Sequence, residues 1–501
     1  MLMNTVIPRN TSMLCASIVL TLLLITSSAT AADVTIYPAP SGEQLSSLYT
    51  LKVNGRSVPV YRVRVAPAEA SRRTAAMDYA QNATGELFDE AAFAYFDMQG
   101  TVEISVGYKD PITSAKLLPD MPGTRLITEG NTVRFSLTEP RNLTLQVNEG
   151  MIRTLHIFAN PPETDVPSPK DPNVVYFGPG IHEVSSLVVG DGKTLYIAGG
   201  AIVRIAIAAA EPFTMNARRQ MKMYQPAIRL VGSNIKVRGR GIVDGSMIPN
   251  GKGLMEITGK NISVEGIILR DSSNWNMPVR GSDTVSISNV KILGYRLNSD
   301  GIDVVSSRNV NVQDCFIRTF DDLIVVKALA AGGPSTAIVA RRNVLWNEKA
   351  HALSIGAEVQ ADINNVTFAD NDVIHDLGHL FALGVMLSDS GNVSNIHFEN
   401  IRINQNCIAG IPQKQCPGLI SLWIGKSGWS RGAELGHIRN VAFTNIQGTT
   451  SSPRDRIELA GASTSSNIEG VLLDDVVING RPVSKADIKE NSLVTNVTIK
   501  R

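Results

Sequence analysis

The stretch Lys260-Asn261-Ile262-Ser263-Val264 carries the pattern that decides the fold, a polar turn containing Asn or Asp followed by a β-branched strand. The pattern recurs at residues 233–237, 282–287, 308–312, 394–398 and 439–443. The first four copies are 27, 22 and 26 residues apart, counted between Asn234, Asn261, Asp283 and Asn309. Repeats of about 20 to 50 residues, without a sustained 3.6-residue apolar period, predict a β-solenoid.

An Asn at the same place in each coil has a physical reason. Asn tolerates the left-handed backbone conformation of a tight bend, and its side chain can hydrogen-bond to the Asn of the next coil as a ladder. We therefore predict that residues 173–501 form a right-handed parallel β-helix of about a dozen coils, stacked about 4.8 Å apart. A long groove along such a rod suits a linear polymer better than a compact metabolite.

Residues 32–160 follow a different pattern, in which apolar and polar side chains alternate in short runs such as Tyr61–Val65. Asn54-Gly55 is a hairpin signal between two of these runs. The alternation predicts a small antiparallel β-sandwich, which makes the whole chain all-β. Residues 161–172 contain five prolines, which exclude a helix or central strand and predict a linker between the two domains.

Residues 1–31 have the features of a Sec-type signal peptide. Arg9 precedes the apolar run Cys15–Ile25, and small residues follow up to a cleavage site near Ala31. The apolar run is too short to span a bilayer comfortably. We expect the mature chain to be secreted or periplasmic and to have no membrane span.

The charges of the chain are balanced. The 47 Lys and Arg residues face 46 Asp and Glu residues, and loss of Arg9 with the signal peptide would leave 46 of each. Binding to nucleic acid requires a basic surface that releases counterions from phosphates, and the sequence has no basic stripe. We therefore expect no nucleic-acid partner.

Three cysteines remain after the predicted signal peptide. Cys407 and Cys416 are close enough in sequence to close a small disulfide loop in an oxidising compartment. Cys315 lies in an apolar stretch and is expected to be a small buried residue.

Three acidic residues lie about one coil apart, since Asp321 and Asp322 follow Asp300 by 21 and 22 residues. Residues one period apart in a β-helix lie above one another, so these carboxylates would share one patch. Crowded like charges raise at least one pKa, which supplies an acid and a base together, as glycosidic hydrolysis requires. On spacing alone, turn residues at solenoid corners or a calcium site fit equally well.

The acidic region resembles polygalacturonase-type glycoside hydrolases. The segments Asn298-Ser299-Asp300, Phe320-Asp321-Asp322 and Ala350-His351-Ala352 are similar, in order and spacing, to that family's Asn-Thr-Asp, Gly-Asp-Asp and Gly-His-Gly motifs. The close match covers about residues 272 to 360. The related dextranase family shares the β-helix and the aspartates and also carries an N-terminal β-sandwich.

The resemblance implies catalytic roles for four residues. Asp321 would be the general acid, and Asp300 and Asp322 would activate the water, with inversion of the anomeric configuration. His351 would orient or tune the acid or bind the sugar. Two neighbouring aspartates on a regular strand would point to opposite faces, so a corner or bulge must turn both outward. Stacked carboxylates can also be closer than the roughly 6.5 to 9.5 Å usual for inversion.

Substrate-binding candidates lie beside these motifs. The resemblance suggests Asn298 and Lys327 as residues that contact the sugar. Trp275 and Trp423 follow polar loop segments and are candidate stacking platforms for a pyranose ring, with core packing as the alternative.

The sequence also departs from the family pattern. Ser299 replaces Thr in the first motif, Phe320 replaces Gly in the second, and Ala350 and Ala352 replace Gly in the third. The family's Arg-Ile-Lys motif, which holds the galacturonate carboxylate, is absent, because residues 384–390 (GVMLSDS) contain no basic residue. This departure favours a neutral sugar as the substrate.

Three hypotheses follow from these observations. The leading one is a secreted, monomeric glycoside hydrolase that cleaves a polysaccharide or oligosaccharide without a metal or other cofactor. The second is a polysaccharide lyase that holds calcium with Asp300, Asp303, Asp321 and Asp322, although the sequence lacks the cation cluster that a uronate substrate requires. The third is a non-catalytic carbohydrate-binding solenoid, which would be favoured if the acidic residues did not share one patch.

Overall fold

The computed structural model describes Met1 and residues 33–78, 85–216, 221–249, 251–378, 380–413 and 416–501. The predicted signal peptide, residues 1–31, lies outside the described residues apart from Met1. Residues 32–501 form one compact unit. Within the described ranges, no helix is long and apolar enough to cross a membrane.

Residues 33–160 form eleven strands and one short helix. These elements are β1 (Asp33–Ile36), β2 (Tyr49–Val53), β3 (Arg56–Val58), β4 (Tyr61–Val65), α1 (Ala70–Ala76), β5 (Asp89–Gln99), β6 (Val102–Tyr108), β7 (Ala115–Leu118), β8 (Ile127–Glu129), β9 (Thr132–Leu137), β10 (Arg141–Val147) and β11 (Leu155–Asn160).

These strands form two sheets, which confirms the predicted sandwich. One sheet has the order β1-β5-β11-β10-β7 with β4 beside β5, and the other has the order β3-β2-β6-β9-β8. Neighbours are antiparallel except for β5 and β11, which run parallel. Alternate side chains of both sheets meet in one core, for example Leu51 and Phe135 against Phe96 and Leu143.

Residues 174–500 form the β-helix. Its strands are β12 (Val174–Phe177), β13 (Gly180–Val184), β14 (Leu187–Val189), β15 (Thr194–Ile197), β16 (Ala201–Ile205), β17 (Phe213–Asn216), β18 (Met221–Tyr224), β19 (Ile228–Gly239), β20 (Ile242–Asp244), β21 (Met255–Glu265), β22 (Ile268–Arg270), β23 (Met277–Arg280), β24 (Asp283–Ser288), β25 (Lys291–Leu293), β26 (Ile302–Val305), β27 (Arg308–Gln313), β28 (Phe316–Thr319), β29 (Ile324–Ala328), β30 (Ser335–Arg341), β31 (Val344–Asn347), β32 (Leu353–Val359), β33 (Ile363–Ala369), β34 (Asp372–Asp376), β35 (Phe381–Leu387), β36 (Val393–Gln405), β37 (Gly418–Ile424), β38 (Ile438–Thr450), β39 (Ile457–Ala460), β40 (Ile468–Ile478), β41 (Arg481–Pro482), β42 (Ile488–Glu490) and β43 (Val494–Lys500). A 3₁₀ turn, Lys485–Asp487, precedes β42, and β17 and β18 form a side hairpin.

The strands stack in three parallel faces, which confirms the predicted right-handed parallel β-helix. Face 1 contains β23, β26, β29, β32, β35, β37, β39 and β42, among others. Face 2 runs from β12 to β43, and eleven successive pairings join twelve strand segments, in agreement with the predicted dozen coils. Face 3 contains β25, β28, β31 and β34.

The repeated Asn residues occupy the bends for which they were predicted. Asn234, Asn261 and Asn309 have φ angles of 59°, 55° and 55°, in the left-handed region. Nδ2 of Asn261 donates to Oδ1 of Asn234 at 2.6 Å, and Asn440 donates to Asn395 in the same way at 3.2 Å. The Asn ladder that the repeat predicted is therefore present.

The sandwich packs against the outer surface of face 3. Phe93 and Phe158 of the sandwich share a buried cluster with Leu293, Phe316 and Trp346 of face 3. The corners that lead from face 3 to face 1 therefore lie next to the sandwich. Whether residues 161–172 separate two independently folding domains stays a prediction.

The structure settles the pairing that the sequence left open and confirms the buried state expected of Cys315. Cys407 and Cys416 form a disulfide bond, and Cys315 is free and fully buried.

Candidate active site

The residues of the three motifs lie in successive corners between face 3 and face 1. Asp300 precedes β26, Asp321 and Asp322 lie between β28 and β29, and His351 precedes β32. The backbone holds these corners in register, since the N–H of Gly301 donates to the carbonyl of Asp322 at 2.7 Å and the N–H of Leu323 donates to that of His351 at 3.0 Å. Asp321 and Asp322 are therefore not forced to opposite faces of a strand, because they lie in a corner and neither belongs to a regular strand.

The three aspartates form one acidic cluster. One carboxylate oxygen from each of Asp300, Asp321 and Asp322 lies within 4.8 Å of the others. Asp300 and Asp322 are 3% and 8% exposed, whereas Asp321 is half-buried and the most accessible of the three. The backbone N–H of Asn298 donates to Oδ2 of Asp321 at 3.3 Å. The structure thus brings the predicted catalytic carboxylates together, and their individual roles stay predictions.

Lys327 lies beneath this cluster as its counter-ion. Its Nζ is 2.7 Å from Oδ1 of Asp303, 3.4 Å from Oδ2 of Asp300 and 4.0 Å from Oδ2 of Asp322. Burial alone would lower the pKa of Lys327, but the surrounding carboxylates, led by Asp303, raise it well above its ordinary range. The ammonium therefore stays charged, and its contact with a sugar stays a prediction.

The Lys327 ammonium also argues against the alternative in which these aspartates hold a calcium ion. Calcium is bound by six to eight oxygen atoms. The cluster offers few carboxylates, and the inner oxygens of Asp300, Asp303 and Asp322 already face Lys327. A buried ammonium in this position opposes a second cation, so these residues fit a calcium ion poorly.

Burial and crowding shift the pKa values in the direction that the sequence predicted. Burial, followed by the charges of Asp303 and Asp321, raises the pKa of Asp300 well above its ordinary range. Burial also raises the pKa of Asp303 to about 6, against the opposing effect of Lys327. Oδ1 of Asp300 and Oδ2 of Asp303 are buried and accept no hydrogen bond from any described residue. Burial and crowding thus favour the protonated form of Asp300, whereas the resemblance assigns the acid to Asp321.

His351 lowers the pKa of Asp322, in contrast to the raised pKa values of Asp300 and Asp303. Burial would raise the pKa of Asp322, but the adjacent His351 ring and Lys327 outweigh burial and hold that pKa below its ordinary value. The His351 ring packs against Phe381, with 4.1 Å between the ring centroids. Asp322 therefore stays ionised beside a carboxyl group that retains a proton, which is the division that acid and base catalysis requires.

Two of the predicted substrate-binding residues, Asn298 and Trp275, have specific neighbours. Nδ2 of Asn298 donates to Oδ1 of Asn274 at 3.3 Å. Trp275 is half-buried, with Nζ of Lys327 at 4.1 Å and the guanidinium carbon of Arg280 at 4.6 Å from its ring centroid. Cations thus contact the ring that was predicted to stack on a sugar, and its role in stacking stays a prediction.

A groove on face 1 lies next to His351. Phe381, which touches His351, lines a cavity of about 700 Å³ together with Met386, Trp423, Ser421 and Arg454. Met386 and Trp423 are partners in register on β35 and β37. Trp423 was a candidate from the sequence, whereas Phe381 and Arg454 were not, because nothing in their local sequence differs from a coil that packs the core.

Comparisons with known proteins define the class. Residues 253–500 match the model of the Glycosyl hydrolases family 28. A probable endopolygalacturonase D of Neosartorya fischeri is 26% identical over 224 residues, which are 44% of this chain and 42% of that protein. A probable polygalacturonase of Arabidopsis thaliana is 26% identical over 226 residues, which are 43% of this chain and 47% of that protein. The match therefore spans less than half the length of these curated relatives.

Solved structures support the fold. Dex49A from Penicillium minioluteum aligns with a TM-score of 0.58 at 12% identity over 93% of this chain and 96% of that chain. A family 28 exopolygalacturonase of Yersinia enterocolitica aligns with a TM-score of 0.51 at 13% identity over 79% of this chain and 93% of that chain.

In fold and in the sequence of residues 253–500, this chain is similar to polygalacturonase-type glycoside hydrolases on a parallel β-helix. The match to the Glycosyl hydrolases family 28 covers just under half of this chain. The predicted resemblance to polygalacturonase-type glycosidases, which hydrolyse O-glycosyl bonds, is thereby confirmed.

Proposed function

We propose that this protein hydrolyses the glycosidic bonds of a polysaccharide or oligosaccharide, with Asp300, Asp321 and Asp322 as the reacting carboxylates. The observation that carries the proposal is the approach of one oxygen of each carboxylate to within 4.8 Å of the others. The groove includes Phe381, which packs against His351 beside the cluster, so a chain that extends from the groove past Phe381 would bring a glycosidic oxygen to the cluster.

Each carboxylate has a distinct part in the proposed reaction. The half-buried Asp321 takes over the proton of the neighbouring Asp300 and gives it to the leaving glycosidic oxygen as the bond from that oxygen to the anomeric carbon breaks. Asp322, kept ionised by His351, takes a proton from the water that attacks this carbon. Asp300 holds the same water by a hydrogen bond. The proton gained by Asp322 returns to Asp300 through solvent after the products leave, which restores the starting state.

The stereochemical outcome is part of the proposal. Retaining glycosidases place their two carboxyl groups about 5 to 5.5 Å apart, and inverting enzymes place them about 6.5 to 9.5 Å apart. The nearest oxygens here are closer than either range, so distance alone does not select a mechanism. We propose inversion, as the resemblance implies, because Asp300 and Asp322 form a pair that can hold one water molecule between them.

The charges of the groove favour a neutral sugar. Lys489 is held by Asp455 at 3.1 Å and Glu458 at 3.3 Å, and Nη1 of Arg454 donates to the carbonyl of Leu380 at 3.1 Å. Recognition of a uronate requires fixed cations that face its carboxylate. The basic groups of this groove are instead engaged with the protein, and Trp423 offers an apolar surface to a sugar ring.

The protein is proposed to act outside the cytoplasm, either secreted or in the periplasm, after cleavage near Ala31. The support is the signal-like sequence and the Cys407–Cys416 disulfide, because such bonds persist in oxidising compartments.

The test is digestion of polygalacturonate, dextran and galactan by the purified protein, with the first-formed product anomer followed by NMR. We expect hydrolysis of a neutral polymer with inversion and a loss of kcat of about 10³-fold or more in D321N. The matched control is D314N, because Asp314 is a surface residue on the adjacent strand connection, in an ion pair with Arg342.

Two results would contradict the proposal. Unchanged turnover in D321N would remove Asp321 from the mechanism. Unsaturated products, together with activity lost to a chelator, would establish a lyase instead.

A further inference from the structure

Phe320 connects the catalytic corner to the N-terminal sandwich. This residue stands where the family motif has Gly, and its side chain is fully buried. It packs with Leu297, the residue before Asn298, and with Ala66 and Ala76. Ala66 and Ala76 belong to the connection between β4 and β5 of the sandwich, which contains α1. The side chain that distinguishes this motif from its family is thus held by the other domain.

Arg73 of α1 adds a second connection to the same place. It is fully buried, and its guanidinium carbon lies 5.8 Å from the ring centroid of Phe320. Its Nη2 donates to Oε2 of Glu348 at 2.9 Å and also contacts the carbonyl oxygen of Glu348. Nη1 donates to the carbonyl of Pro67 at 3.2 Å, which keeps the guanidinium aligned with its own segment.

Glu348 connects Arg73 to the corner that carries Asp321 and to the corner that carries His351. It lies three residues before His351, and its N–H donates to the carbonyl of Thr319 at 3.1 Å. Its carboxylate also accepts from Nε of Arg318 at 2.8 Å. Glu348 is fully buried between two arginines, and a buried carboxylate is tolerated only when it is paired in this way.

We propose that Arg73 and Phe320 are positioning residues through which the N-terminal sandwich fixes the corner that carries Asp321 and Asp322. The expected loss of kcat on substitution rests on the proposed function, whereas the expected loosening of the corner does not. The physical reason is that Phe320 is covalently adjacent to Asp321, so the pocket that holds its ring also sets the direction of the next side chain. A displacement of about 1 Å at a reacting group can cost about 10²-fold in rate.

The experiment compares R73M and F320L with the parent protein. R73M removes one of the two arginines that hold Glu348, and F320L retains an apolar side chain of a different shape. We expect kcat to fall by about 10 to 100-fold in both variants, with KM within about twofold. R73K restores the charge without the two-pronged geometry and should recover part of the loss.

The matched control is R72M. Arg72 is the neighbouring residue on α1, but it pairs with Asp89 and the carbonyl of Phe88, both within the N-terminal sandwich segment. Its kcat should stay within about twofold of the parent value.

A second readout does not require a substrate. Hydrogen–deuterium exchange of the segment 316–324 should be faster in R73M and F320L than in the parent and in R72M. If either result given above contradicts the proposed function, or if the parent hydrolyses none of the three polymers, exchange alone decides the positioning role. Unchanged exchange in this segment in both variants would overturn the inference, as would parental kcat in both.

Discussion

Nδ1 of His351 lies 2.5 Å from Oδ1 of Asp322, a contact between two adjacent coils of the β-helix. The other ring nitrogen, Nε2, is buried and has no hydrogen-bond partner among the described residues. Phe381 packs against the ring and restricts its rotation. The histidine is therefore placed to act on one carboxylate of the cluster, and this carboxylate is the proposed base.

The substitution H351Q tests this relationship through the pH profile. Asp322 must be ionised to accept a proton, and His351 holds its pKa below the ordinary value, against burial. Removal of the imidazole lets burial dominate, so the pKa of Asp322 rises. The acidic limb of the kcat/KM profile should move to higher pH. We expect kcat/KM to fall by about 10²-fold near pH 4 and by less near pH 7, measured on the polymer that the parent hydrolyses.

The control for this measurement is H397Q. His397 is an exposed residue of face 2, so its profile should coincide with that of the parent. An acidic limb that stays in place in H351Q would mean that His351 has no part in keeping Asp322 ionised.

The fold could be predicted from the sequence because its signal is local and repeated. Each coil needs a left-handed bend, and Asn supplies it at positions such as Asn261 and Asn309. The acidic cluster could be predicted for the same reason, since one coil of sequence separates Asp300 from Asp321. Regular stacking thus converts a sequence interval into a distance.

Other parts of the site could not be predicted because they depend on irregular intervals. Asn395 and Asn440 are stacked neighbours although they are 45 residues apart, so the coil length is not constant across the groove. Arg73 and Glu348 are 275 residues apart and meet only because the sandwich packs on face 3. A periodic sequence pattern gives no information on how one domain packs against another.

The substitution K327M should destabilise the protein in a pH-dependent way. Burial raises the pKa of Asp303 to about 6 from 3.8 even with Lys327 beside it, and loss of the ammonium would raise it further. An acid with a raised pKa in the folded state stabilises that state at low pH, and this contribution is lost as pH rises through the folded value. The free energy of unfolding should fall by about 3 to 5 kcal/mol at pH 7.5 and by less at pH 4.5, measured by urea unfolding.

K489M provides the comparison for this experiment. Lys489 also bridges two carboxylates, but its side chain is 63% exposed. Its loss should cost no more than about 1 kcal/mol at either pH. Equal destabilisation of K327M at both pH values would show that the buried carboxylates do not depend on this ammonium.

The substitution W423A should weaken substrate binding without slowing the chemical step. Trp423 lies on β37, three strands along face 1 from β29, or about 14 Å from the catalytic corner at the spacing of stacked strands. A sugar bound on its ring contacts the protein equally in the ground state and the transition state, so KM should rise with kcat unchanged. We expect a rise of about tenfold for long oligosaccharides and no change for the shortest substrate that is cleaved.

Substitutions at two glycines test whether the position of the Trp423 ring matters as well as its presence. A Cβ at Gly425 would lie 2.4 Å from Cζ2 of Trp423, so G425A must displace the indole, whereas a Cβ at Gly432 would meet nothing within 4 Å. G425A should therefore raise KM for long oligosaccharides in the same way as W423A, and G432A should behave as the parent. If W423A and G425A both retained the parental KM for every chain length, the sugar would not bind on this ring, and other residues of the groove would have to hold the polymer.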